Sequence, residues 1–203
     1  MMKKMNLGFL ASGRGSNMQA IINACNTGKL DARPVLVISN NPDSGALEIA
    51  RKNKIPCCNL NQNTHPDSGL LDKAITDELH SHHVDLVILA GYMKKIGPVM
   101  LKKFHNRILN IHPSLLPKYG GQGMYGHHVH SAVIQAGEKT SGATVHLVDD
   151  EYDKGLILAQ RPVTVTGDDD AESLAAKVLG VEHELYVEVL QNIISGKIRL
   201  PEA

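Results

Sequence analysis

The sequence predicts an α/β fold: a mostly parallel central sheet with helices on both faces, then C-terminal antiparallel strands and a long final helix. Three observations carry this. Short apolar runs alternate with helix-spaced segments through the first half of the chain, and one run, VDLVILA at 84–90, is apolar but for Asp85, enough to lie centrally in a parallel sheet. Beyond residue 140 two β-rich stretches follow each other with no helical spacing between them. Leu174, Val178, Leu185, Val189 and Ile193 then recur at helical spacing, with Gly196 past the end.

Each element has a local signature. Residues 5–10 form a strand that runs into Ala11-Ser12-Gly13-Arg14-Gly15-Ser16-Asn17, after which Met18, Ile21, Ile22 and Cys25 mark a helix closed by Gly28. A strand, a Gly-rich turn and a helix start can cradle an anion, because the first N–H groups of a helix have no partners within it. The loop lacks G-K-[ST], and Met18 stands where G-x-G-x-x-G needs its third Gly, so a single phosphate on a sugar fits better than a nucleotide or dinucleotide. A tight turn without a ligand is the competing reading.

A strand at 35–39 and a turn at 40–43 lead to a helix at 44–53 and a short strand at 55–59. A polar loop at 59–67 precedes a helix at 67–82, the strand 84–90 and a short helix at 98–104.

The next stretch, ILNIHPSLLPKY at 108–119, is the one around which the chain is organised. It opens as an apolar strand, and Asn110 and His112 stand at i and i+2, on one face of an extended chain. A neutral amide donor beside a titratable imidazole suits a carbonyl that gains negative charge. A buried His and Asn satisfied by backbone would give the same pattern. YGGQGMYG at 119–126 has four glycines in eight residues and reads as a flap over a site or as a plain linker. A helix at 128–136 ends at Gly137. The β-rich stretches 143–148 and 156–165 are joined by Asp149-Asp150-Glu151-Tyr152-Asp153-Lys154-Gly155, an acidic loop that solvation alone would explain, and Asp168-Asp169-Asp170 caps the final helix.

Composition removes several classes of function. Lys plus Arg and Asp plus Glu both number 21, with no basic cluster interleaved with aromatics, so no nucleic acid is expected. No apolar run approaches the ~18 residues of a membrane span, and residues 1–5 lack the apolar core of a signal peptide. Three unpatterned cysteines suit a reducing, cytoplasmic location. The histidines at 80, 82, 83 and at 127, 128, 130 match no zinc pattern, so no metal is expected.

Taken together, SGRGSN at 12–17, LAGYM at 89–93 and NIHPSLLPKY at 110–119, with SGATVHLVDDEYDKG at 141–155 and VEH around Glu182, resemble the folate-dependent phosphoribosylglycinamide formyltransferases, in the family's order and over nearly the whole chain. The resemblance implies a Rossmann-like formyltransferase fold in one domain over 1–203, with a phosphate-binding half at 1–110 and a folate-binding and catalytic half at 111–203. It implies formyl transfer from 10-formyltetrahydrofolate to the amine of glycinamide ribonucleotide through a tetrahedral intermediate. The partners would be these small molecules, with no nucleic acid or membrane, and the protein a monomer or homodimer.

Position by position, the resemblance makes Asn110, His112 and Asp153 catalytic. It gives Gly15, Ser16, Asn17, Leu179, Gly180, Val181 and Glu182 to the ribotide. It gives Met93, Lys94, Lys95, Ile96, Asn110, Asp149, Asp150, Glu151, Tyr152 and Asp153 to the folate. The sequence departs from the family at Lys94 and Lys95, where many members have Arg and an apolar residue, and near Ser68, where a basic residue often meets the folate tail. A deformylase of the same fold would need no phosphorylated acceptor, and a non-catalytic binder would not need all three catalytic positions filled.

Overall fold

The computed structural model of the chain describes residues 4–202; residues 1–3 and 203, which the expected domain includes, lie outside the described residues. Its elements are β1 (Met5–Ala11), α1 (Ser16–Asn26), β2 (Ala32–Ser39), α2 (Gly45–Lys52), β3 (Cys57–Asn59), α3 (Ser68–Ser81), β4 (Leu86–Leu89), α4 (Pro98–Lys103), β5 (Ile108–His112), α5 (His127–Gln135), β6 (Thr140–Leu147), β7 (Ile157–Thr164) and α6 (Ala171–Ile194). They build one seven-stranded sheet in the order β3-β2-β1-β4-β5-β6-β7. The first five strands are parallel; β6 pairs antiparallel with β5, and β7 with β6.

Alternation along the strands sorts the core into two layers. Leu7, Phe9, Val37, Ile88 and Leu109 pack with the helices α1, α2 and α6. Leu10, Leu36, Ile38, Val87, Leu89 and Ile108 pack on the other face with α3 and α4. Gly8 belongs to the second face, where a Cβ would stand 2.7 Å from Leu79 and 2.8 Å from Val84, so its missing side chain lets α3 close on the sheet.

Most strands differ by a few residues from the sequence expectation, β6 starting at Thr140 rather than 143, and three of the differences have a backbone reason. β2 starts three residues early, and its ladder with β1 shifts at Leu7/Gly8, next to Pro34, which has no N–H to give. β3 loses Ile55, whose N–H turns back to the Ala50 carbonyl of α2, and Pro56. β4 loses Val84, whose N–H closes the end of α3 on the Leu79 carbonyl. The capping expectation at the final helix narrows to Asp170, which forms a reciprocal box with Ser173, while Asp169 accepts from Thr166 and Lys177.

The order of strands reverses on either side of the β1/β4 pair, and such a switch point leaves a crevice at the carboxyl edge. The loops after β1 and β4 flank it and are tied together. Ser12 N–H donates to the Gly91 carbonyl (3.0 Å), and Met93 N–H donates to Ser12 Oγ (2.8 Å). From the core side the Tyr186 phenol reaches the carbonyls of Leu109 (2.9 Å) and Leu89 (3.2 Å), the strand ends beside that crevice.

Candidate active site

β5 carries Asn110 and His112 to the carboxyl edge, and the antiparallel register places His146 of β6 opposite Asn110 and Thr144 opposite His112. His112 is 3% exposed and His146 2%. Their burial matters because each ring then needs an internal partner for its N–H. His112 Nε2 donates to the Tyr119 carbonyl at 2.7 Å, and its Nδ1 lies 3.5 Å from Asp153 Oδ2. His146 Nδ1 donates to the Leu147 carbonyl at 2.8 Å. Its Nε2 meets Asn110 Nδ2 at 3.1 Å and Asp153 Oδ1 at 3.5 Å. Asp153 Oδ2 also accepts from the Gly121 N–H at 2.8 Å.

The structure thus brings the three expected catalytic residues into one cluster and adds His146, together with two backbone groups of the Gly-rich segment. Tyr119 and Asp153 both have positive φ (56° and 57°), a strained setting that aims the Tyr119 carbonyl at His112 and the carboxylate between two imidazoles. The turn after His112 is clamped: Thr144 Oγ1 donates to the Ser114 carbonyl (2.6 Å) and accepts from Leu116 N–H (3.1 Å).

Burial and charge shift the titration of these groups. Burial pushes His112 below the ordinary imidazole range, outweighing the upward pull of the Asp153 charge and the Tyr119 carbonyl. The Nε2–H of His112 is committed to the Tyr119 carbonyl. Burial pushes Asp153 up as well, but the facing imidazoles once protonated, and the Gly121 N–H, hold it below the usual carboxylate range.

The ribotide set lies on α1 and α6. Gly15 is in the left-handed region (φ 75°), where a Cβ would also press on Ala46 at 3.0 Å, and no side chain caps the helix start at Ser16. Asn17 Nδ2 donates to Glu182 Oε2 at 3.1 Å, while Asn17 Oδ1 is buried with no hydrogen-bond partner among the described residues. Burial lifts the Glu182 carboxyl to about 7, against the pull of that amide. Leu179 and Val181 are half-buried and Gly180 is exposed on the preceding turn of α6.

The folate set is less compact. Ile96 is in the core, Met93, Lys94 and Lys95 are exposed, and Lys95 Nζ lies 5.7 Å from the Tyr152 ring centroid, linking the two predicted stretches. A cavity of about 310 Å³ takes Asp149 and Asp150 from this set, with Leu101, Lys102, His105, Leu147 and Leu156 among its other walls. Among the described residues no group of His, Cys, Asp and Glu could hold a metal ion, and no helix is long and apolar enough to cross a membrane.

One buried group outside these sets contributes to the acid limb of stability. His130 on α5 is pushed down to about 4 by burial, aided by His127 and His112. The unfolded ring, near 6.5, binds its proton first, so this stability is present above pH 6.5 and is lost as pH falls through about 4. Glu182 acts with the opposite sign: it favours the fold below its ordinary 4.5, a gain lost as pH rises through about 7. His130→Asn is expected to flatten the fall in melting temperature between pH 7 and 4.5; an unchanged acid limb would remove His130 from it.

Comparison with known proteins shows the family and the fold. The Formyl transferase family matches residues 5–190. The chloroplastic phosphoribosylglycinamide formyltransferase of Arabidopsis thaliana is 43% identical over 201 residues, covering 98% of this chain and 69% of that protein. The phosphoribosylglycinamide formyltransferase of Haemophilus influenzae is 39% identical over 201 residues, covering 99% and 92%. Among solved structures, glycinamide ribonucleotide transformylase 1 from Symbiobacterium toebii matches with a TM-score of 0.91 at 36% identity, covering 98% and 91%. The chain belongs to the formyl transferase family.

Proposed function

We propose that this protein transfers the formyl group of 10-formyltetrahydrofolate to the amine of glycinamide ribonucleotide, giving formylglycinamide ribonucleotide and tetrahydrofolate, the third step of purine biosynthesis. The observation that carries the proposal is the cluster of Asn110, His112 and Asp153 at the carboxyl edge of a sheet whose first strand leads into an uncapped helix start. All three of its cysteines are free, in keeping with a reducing compartment such as the cytoplasm.

The residues divide the work. The free N–H groups at the start of α1 hold the phosphate, and Glu182 with Asn17 holds the sugar or glycinamide part. The cavity beside Asp149 and Asp150, with apolar walls and a polar rim, suits the flat folate ring. In the reaction the amine nitrogen bonds to the formyl carbon and the bond from that carbon to the folate nitrogen breaks. An Asn110 N–H meets the formyl oxygen as charge gathers there. Asp153 and the bare Nδ1 of His112 hold the proton leaving the amine and return it to the departing nitrogen, so no residue becomes formylated.

The test is release of the folate product from a 10-formylfolate analogue, followed by absorbance with and without the ribotide. Release that depends on the ribotide supports the transferase; equal release without it would make the protein a deformylase. Ser16→Asp places a charge against the phosphate and is expected to raise the ribotide KM at least about tenfold with little change in kcat. An unchanged KM would refute the phosphate site.

A further inference from the structure

We propose that His146 is a positioning residue for this reaction: it fixes which end of the Asn110 side-chain amide faces the substrate. The inference rests on the transferase reading above for its kinetic consequence, but its structural half stands on hydrogen-bond chemistry alone.

A backbone carbonyl can only accept. The 2.8 Å contact from His146 Nδ1 to the Leu147 carbonyl therefore places a hydrogen on Nδ1. In the neutral ring Nε2 is then a bare lone pair, and the group 3.1 Å away must be a donor, the Asn110 NH2. An imidazolium would set two N–H donors against each other at that distance. The carboxylate oxygen of Asp153, an acceptor that would call for a hydrogen on Nε2, lies farther from that nitrogen, at 3.5 Å, so the closer Asn110 amide is its partner.

An isolated Asn amide can turn end for end at little cost, and the two orientations present opposite chemistry to a ligand. With His146 in the Nδ1–H form one Asn110 N–H is spent on the ring. The second N–H and the carbonyl oxygen remain, able to meet a formyl oxygen and an amine N–H at once. The other orientation would aim an acceptor at the lone pair of Nε2. His146 is 2% exposed and lies directly across the β5–β6 ladder from Asn110, so the register holds the ring against the amide and the ring itself is closed to water.

The first test needs no substrate. Ring 15N NMR of the full chain should show a protonated Nδ1 and an unprotonated Nε2 for His146 near neutral pH; the reverse tautomer or an imidazolium would overturn the proposal. Kinetics test the second half. His146→Leu is expected to lower kcat about 10- to 100-fold, because the Asn110 amide loses the partner that orients it, with both KM values within about threefold of wild type. His146→Gln, whose side-chain oxygen can stand where Nε2 was, should recover most of that loss. In an Asn110→Ala background the His146→Leu change should cost less than about threefold, because its partner is already gone. Additive losses, or Gln no better than Leu, would overturn the positioning role. A wild-type protein without transferase activity would instead refute the proposed function, and the NMR result would still decide the tautomer.

Discussion

Asp153→Asn is expected to lower turnover by about 10²–10⁴, with the ribotide KM near that of wild type. The carboxylate has three neighbours in the structure: His112 Nδ1 and His146 Nε2, each at 3.5 Å, and the Gly121 N–H at 2.8 Å. An asparagine keeps the acceptor for Gly121 and so preserves the local backbone, but it removes the charge that lets His112 Nδ1 take up a proton. His112→Ala removes the other half of the same proton-holding pair. The double variant should therefore be little worse than the more damaging single one, as groups acting as a unit are not additive. Steady-state kinetics of the three variants, with melting temperatures as a control on folding, decide the matter. Wild-type turnover in either single variant would take that residue out of the mechanism.

Gly155→Ala is expected to destabilise the fold by about 3 kcal/mol or more, the upper end of the overpacking range. A Cβ at Gly155 would stand 1.9 Å from the Leu147 carbonyl oxygen, a backbone atom that cannot swing away. Leu147 is also held through its N–H to the Leu156 carbonyl at 2.9 Å, so the methyl group must part β6 from the start of β7. The same carbonyl oxygen accepts from His146 Nδ1, so the damage should reach the catalytic cluster as well. Gly180→Ala is the natural control. Nothing lies within 4 Å of its Cβ in α6, and relief of the helical glycine should stabilise the protein by about 0.5–1 kcal/mol. Urea denaturation of both variants would test the contrast; a Gly155→Ala protein as stable as wild type would show that the two strands can separate freely.

Much of the fold is legible in the sequence because periodicity is a local property. The alternation of apolar runs and helix-spaced segments yields all the elements, and Gly28, Gly137 and Gly196 mark where helices stop. What goes astray is decided by backbone partners: Val84 and Ile55 look like strand residues, but their N–H groups close helices instead. Within the site, Asn110 and His112 can be picked out because i, i+2 spacing on a strand is itself geometric. Asp153 shows only as one of four carboxylates in a loop, and it is the resemblance to known enzymes that singles it out. His146 escapes because its role depends on the antiparallel register that sets it across from Asn110, a pairing between positions 36 apart. The Tyr119 carbonyl and the Gly121 N–H escape for a simpler reason. Every residue has such groups, and only the turn of the chain decides which ones reach the site.

The bond between Asn17 and Glu182 spans 165 positions of sequence. On a ribosome, the Gly-rich loop and the first strands emerge long before α6 exists, and the Asn17 amide must wait for the last helix to be made and docked. Such long-range closure is slow to reach, and N-terminal segments of a growing chain settle first. The proposed ribotide pocket is therefore among the last features of the molecule to mature. A nascent or misassembled chain would lack it even with its parallel strands already paired, and binding of the phosphorylated substrate would report on finished molecules alone.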